Sequence, residues 1–196
     1  MKPRLLVLAS VVLTCLVCAA DVQGAPFETL RDGRIRHTFS GFIFPTHIGV
    51  FRRVQMRQYN QSGSDISAGY NAGALIAATV YAYPAPAQSG AQVLAREYGS
   101  KRGEVLHGHQ GVAVLSEGSA TISQGDKKYV GRRAYFSFRD PLAPTPRYLK
   151  SQLLVFRDGP IFIEYRFTYP RDHAEQSESE IERFIRSWSW RRPRKA

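Results

Sequence analysis

His107 and His109, with one glycine between them, are the first residues to weigh for chemistry. Two imidazoles at that spacing point the same way on a strand and can begin a metal site. A third ligand is missing: the nearest acid is Glu104, and His37, His47 and His173 would have to be brought in by folding. The pair is therefore an incomplete metal candidate. Its competing reading is two loop histidines at a helix-to-strand junction, near their titration point in mildly acidic surroundings.

Nucleophilic catalysis has even less to stand on. No Gly-x-Ser-x-Gly turn occurs, and the polar stretches Gln61 to Asp65 and Gly118 to Ser119 have the composition of turns, where Ser, Gly and Asp supply local hydrogen bonds. Glu175, Glu178, Glu180 and Glu182 crowd a helix start, where the dipole favours them, and are no glycosidic acid–base pair. Gly63, Gly69 and Gly73 lack the lysine and helix of a phosphate loop. No catalytic residue and no cofactor is expected.

Binding is the better-supported chemistry. Tyr and Arg are enriched at interface hot spots, and the first half of the chain supplies both. Arg52, Arg53 and Arg57, with Tyr70, Tyr81 and Tyr83 from neighbouring strands, form the candidate contact patch; Tyr59 lies close in sequence. The alternative is that Tyr81 and Tyr83 pack beneath a helix with their hydroxyls at its rim. The loop from Asp140 to Pro146, with three prolines, is a second possible surface or simply a stiff spacer.

The 196 residues carry 27 Lys and Arg against 16 Asp and Glu, a formal charge of +11. Met1 to Arg4, the apolar run Leu5 to Val17 and the small residues Cys18 to Ala20 have the proportions of a cleavable export signal, too short to span a bilayer. Cleavage is expected after Ala20, with Gly24 or Ala25 as second choice. Lipidation is the competing fate, although Val17 and Thr14 before the two cysteines fit it poorly. Removing residues 1–20 takes Lys2, Arg4 and both cysteines, leaving +9. A periplasmic or secreted protein without disulfides follows, with no stable membrane insertion after cleavage. Its charge suits a protein partner or an anionic envelope ligand, while no motif points to nucleic acid.

These residues need elements to position them, and alternation marks mostly strands: Phe39 to Phe44, Gly49 to Tyr59, Asp65 to Asn71 and Ala74 to Tyr83. Ser89 and Gln92 have capping-box spacing for a helix running to about Leu106, with Leu94, Tyr98 and Val105 inward. Val112 to Ile122, Lys128 to Arg139, Arg147 to Phe156 and Ile161 to Tyr169 follow, the last two joined at Asp158 and Gly159. Along the last strand Ile161, Ile163, Tyr165, Phe167 and Tyr169 should face the core, with Glu164, Arg166 and Thr168 toward solvent. Asp172 and Glu175 signal a closing helix whose apolar stripe is Ile181, Phe184, Ile185 and Trp188.

The expected fold is α+β: one domain with a mainly antiparallel sheet flanked by two helices in an α/β/α sandwich. The expected organisation is a signal at 1–20, a lead segment at 21–38, the domain at 39–190 and a basic tail at 191–196. Phe42 to Pro45 opening the strands, the helix after the Ala74 to Tyr83 strand, the hairpin through Asp158 and Gly159, and the closing Ile181 to Trp188 helix together resemble the PsbP-like family. That family is named for an extrinsic photosystem II subunit and includes bacterial exported proteins. The resemblance implies a binding, assembly or accessory role without catalysis, and it transfers no functional residue. The competing function is an envelope hydrolase or metal-dependent enzyme using His107 and His109.

Overall fold

The structure is a computed structural model that describes residues 25–73, 75–88, 90–140 and 147–190. The expected signal, the six-residue tail, Ser89 and all but the first residue of the proline loop lie outside the described residues. Three short strands come first: β1 (Phe27–Thr29), β2 (Ile35–His37) and β3 (Ile43–Phe44). Then follow β4 (His47–Ile48), β5 (Phe51–Gln58), β6 (Ile66–Ala72), β7 (Ile76–Pro84) and helix α1 (Ala91–Gly108). Strands β8 (Ala113–Gln124), β9 (Lys127–Arg139), β10 (Tyr148–Asp158) and β11 (Ile161–Pro170) lead to helix α2 (Ala174–Ser187).

The fold is α+β, with β1–β2–β3 as a small sheet and an eight-stranded antiparallel sheet ordered β4–β5–β6–β7–β11–β10–β9–β8. Two meanders are joined by α1, and the second runs back until β11 pairs with β7. That return makes β11 a central strand, although it is the last in the chain.

One face of the sheet carries the main core. Ala68, Tyr70, Ala78, Val80, Ile163, Tyr165, Phe167 and Phe156 project there and are closed over by Ile181, Phe184 and Ile185 of α2 with Trp188 and Trp190 beyond it. Indole nitrogens deep in this layer need acceptors, and both have them: Trp188 Nε1 donates to the Ile43 carbonyl at 2.8 Å and Trp190 Nε1 to the Tyr165 hydroxyl at 2.6 Å. On the other face α1 lays Tyr98 and Val105 onto Ala134, Phe136, Leu153 and Val155. A sheet covered on both sides is the expected sandwich.

Several local expectations change. The strand read over Phe39 to Phe44 shrinks to β3, and strands also form between residues 27 and 37. Helix α1 has Gly90 at its N-cap, and Ser89 of the expected capping box lies outside the described residues. A short 3-10 turn at Arg171–His173 precedes α2, whose N-cap is His173. At α2, packing of the apolar residues therefore does what capping was expected to do. The largest change is Glu164, which is 1% exposed rather than solvated, because α1 covers the face to which its strand position assigns it.

The small sheet is tied down by polar contacts. His37 is buried, with Nδ1 2.7 Å from Ser40 Oγ and Nε2 2.7 Å from the Gly63 carbonyl. Gly63 has φ of 67°, and a Cβ there would meet Pro26 Cβ at 2.4 Å, so both backbone shape and space demand glycine. Burial lowers the His37 pKa from its ordinary 6.5, against the opposing pull of the Gly63 carbonyl. The unfolded chain then binds the proton first, so this stability is whole above 6.5 and is lost as pH falls below it. His109 acts in the same direction, its pKa lowered by burial and by Arg166.

Two outcomes follow for stability. Urea midpoints should drop as pH is lowered from 7.5 to about 5.5, with a shallower slope in His37→Gln. Gly131→Ala should destabilise by about 1–3 kcal/mol, since its Cβ would sit 2.4 Å from Phe156 Cδ1 and from the Val155 carbonyl; Gly118→Ala, with nothing within 4 Å, should stay within about 0.5 kcal/mol. Denaturant titration of the two variants measures both.

Candidate functional site

Antiparallel pairing sets one row of residues across the face that α1 partly covers. Arg57 lies opposite Ser67, Ser67 opposite Tyr81, and Tyr81 opposite Glu164; the row continues through Val155 and Arg132 to Ser119. At the β5 end it is open. Arg57 is exposed, its Nε bonded to Gln55 Oε1 at 3.2 Å, and the half-exposed Tyr59 places its hydroxyl 3.0 Å from Ser67 Oγ. The Tyr59 and Tyr81 rings lie 6.0 Å apart.

Toward α1 the same face becomes an ionic network. Glu164 accepts from Arg166 Nε, and Arg166 also donates to Glu104. Lys101 of α1 bonds Glu104 at 2.8 Å, and the Tyr83 hydroxyl donates to Glu97 at 2.9 Å while lying 3.3 Å from Glu164. Both cations lie over rings: the Arg166 guanidinium is 5.3 Å from the Tyr81 centroid and the Lys101 ammonium 5.1 Å from that of Tyr83. Burial raises the Glu164 pKa against the pull of Arg166 and Lys101. It also pushes the Tyr81 phenol up to about 12, with Arg166 opposing, so this hydroxyl stays protonated at neutral pH. A cavity of about 280 Å³ opens between Tyr59, Asp65, Tyr81 and this network.

The expected patch is thus divided. Arg52 and Arg57 are exposed on β5, and Tyr81 and Tyr83 share the outer face, half-buried, with Tyr83 reaching under α1. Arg53 does not join them: its guanidinium donates to the Phe44 carbonyl at 2.5 Å and the Gly33 carbonyl at 2.8 Å, fastening the small sheet to β5. Tyr70 is a correction too. It is 0% exposed in the main core, with its hydroxyl donating to the Pro45 carbonyl at 3.0 Å, because its strand parity is that of Ala68 and not of Ser67.

His107 and His109 do not converge. His107 Nδ1 is 2.7 Å from the Gly103 carbonyl one helical turn back, and His109 stacks on Phe138 at 3.9 Å. Among the described residues no group of three His, Cys, Asp or Glu is placed to hold a metal ion. No described helix is long and apolar enough to cross a membrane.

A second concavity was not foreseen. Between α2 and strands β8–β10 lies a cavity of about 710 Å³, with Leu154 and Ile185 as apolar wall and Arg133, Tyr135, Gln152 and Glu178 as polar lining. Its polar groups serve one another: Gln152 Nε2 donates to Tyr135 OH at 3.1 Å, and Glu178 takes Lys150 at 2.5 Å and Tyr169 OH at 2.8 Å. The signal available beforehand was parity, since Arg133, Tyr135 and Gln152 fall on the α2 side of their strands.

No protein-family model matches this chain, and no curated protein is similar enough to match it. Among solved structures, the solution structure of cyanobacterial PsbP (CyanoP) from Synechocystis sp. PCC 6803 is similar, with a TM-score of 0.49 and 14% identity over 88% of this chain and 96% of that one. This likeness carries no residue, ligand or activity across. The molecule itself defines an α+β sandwich with a basic outer strand.

Removing the Glu164 carboxylate leaves Arg166 with Glu104 alone in a half-buried position. Glu164→Ala should therefore destabilise by about 1–3 kcal/mol, and Glu164→Gln by less, because the amide oxygen still accepts from Arg166. Thermal or urea unfolding of the two variants measures the difference.

Proposed function

We propose that this chain is an exported, non-catalytic binding or accessory module of the periplasm or the extracellular space, and that it engages a protein or anionic envelope ligand through the basic, tyrosine-bearing face of β5–β7. The single observation that carries this reading is the exposed pair Arg52 and Arg57. Neither makes an ion pair among the described residues, and Tyr59 and Tyr81 present ring surface beside Arg57, while Arg52 lies opposite Asn71 farther along β5. Of the fifteen other described arginines, seven, Arg34, Arg36, Arg102, Arg147, Arg166, Arg183 and Arg186, have a carboxylate within 4.0 Å, and Arg53 and Arg157 are held by backbone carbonyls. Charge left without a counterion partner is free to steer and hold an anionic surface. The +9 balance of residues 21–196 adds long-range attraction in the same sense.

A tagged form of residues 21–196 should recover a partner from an envelope fraction at low salt and lose it at about 0.5 M salt, where screening leaves a Debye length of only a few ångströms. Arg52→Glu with Arg57→Glu should abolish that recovery without loss of fold by circular dichroism. Recovery unchanged by both salt and charge reversal would sink the reading.

A further inference from the structure

Strand β8 ends the large sheet, and among the described residues it pairs only with β9. The opposite edge is β4, two residues long and so of little use as a template. Strand β8 offers twelve residues, of which only Ala120 is buried. Natural edges are blunted by lysine, proline or short length, and β8 has none of these. Its one bulge, between Val114 and Ser116, and its one charge, Glu117, both lie in its first half. That charge is engaged, accepting from Tyr98 OH at 2.6 Å and Arg102 Nε at 2.7 Å. From Ser119 to Gln124 the register with β9 is regular and the edge carries no charge, and Gln124 at its end bonds through its side chain to the Trp188 carbonyl and the Trp190 amide.

On β9, directly behind this edge, an arginine stands on each face. Arg132 lies opposite Ser119 and Arg133 opposite Gly118, so two of the smallest side chains separate these guanidinium groups from the open edge. Arg132 rests on the Tyr98 ring at 5.4 Å and Arg133 on the Tyr135 ring at 5.1 Å, and neither makes an ion pair among the described residues. On the Arg133 side, Ser119 to Ser123 also line the 710 Å³ cavity against α2, which has room for side chains of an added strand; its two acids, Glu178 and Glu182, are paired with Lys150 and Arg186.

We propose that β8 is a strand-addition site for an extended acidic segment of a partner protein. The segment's backbone continues the sheet beyond Ser119–Gln124, and two consecutive acids, one on each face, meet Arg132 and Arg133. Charge selects this occupant over a second copy of the chain, because Arg132 and Arg133 call for carboxylates and the one acid that a second β8 would bring, Glu117, is already engaged by Tyr98 and Arg102. The proposal rests on the reading of the chain as a binding module, but on a surface separate from Arg52 and Arg57.

The probe is a ten-residue capped peptide with Glu-Glu at its centre flanked by Thr, Val and Ser, titrated into residues 21–196 and followed by amide chemical shifts and hydrogen exchange. Shifts and slowed exchange should concentrate on β8, and Arg132→Glu with Arg133→Glu should weaken binding on the order of tenfold. The same variant should gain affinity for a Lys-Lys version of the peptide, which separates a lost charge match from a lost fold. Three results would overturn the proposal: no binding of the Glu-Glu peptide, binding that leaves β8 amides unchanged and responds instead to Arg52 and Arg57, or β8 protection in the peptide-free chain accompanied by a dimer mass in sedimentation. The second would leave the reading of the β5–β7 face standing.

Discussion

Strand β11 is covered on both faces, and the rest of the molecule is arranged around that constraint. Successive side chains of a strand point to opposite sides, so Tyr165 and Glu164 must enter different layers. Tyr165 is fully buried among Phe167, Phe184, Trp188 and Trp190, and its hydroxyl takes the Trp190 indole proton. Glu164, one residue away and equally buried, cannot rest in an apolar layer without partners, and Arg166, Tyr83 and the acids and lysine of α1 supply that setting. One helix therefore presents hydrophobic residues to the sheet, and the other a mixture of rings and charges.

This division explains where the surface is left open. Helix α1 packs on β9 and β10, while α2 reaches β11 and β8 on the other side. Neither covers the outer face of β5, and β8 pairs with β9 alone among the described residues. Arginines stand at both places and lie at opposite ends of one cross-strand row, Arg57 at one end and Arg132 near the other. In the middle of that row Glu164 is paired within the fold, and the arginines toward its ends have no carboxylate partner among the described residues.

Much of this was legible beforehand, and the reasons differ by element. The alternation Ile161 to Tyr169 and the stripe Ile181, Phe184, Ile185 and Trp188 named the main core correctly, because periodicity and apolar character agree there. The capping signal at Asp172 did not, since it falls within a 3-10 turn and α2 begins after His173. In the candidate site, Tyr81 and Tyr83 were found together, whereas Arg53 and Tyr70 proved to be internal supports. Each of those two faces the α2 side, and a register shift between Arg53 and Gln55 moves β5 out of simple alternation.

By itself the sequence determined the element types, the two-sided sandwich and the strongly basic character, because these depend on local periodicity, propensity and composition. Only the tertiary structure decided that Glu164 is buried, that His107 and His109 take different partners, and that β8 pairs among the described residues with β9 alone. Those facts depend on strand order: the return of β11 to β7 puts the last strand in the centre and leaves β8 at the rim, and no local pattern encodes which strand finishes beside which.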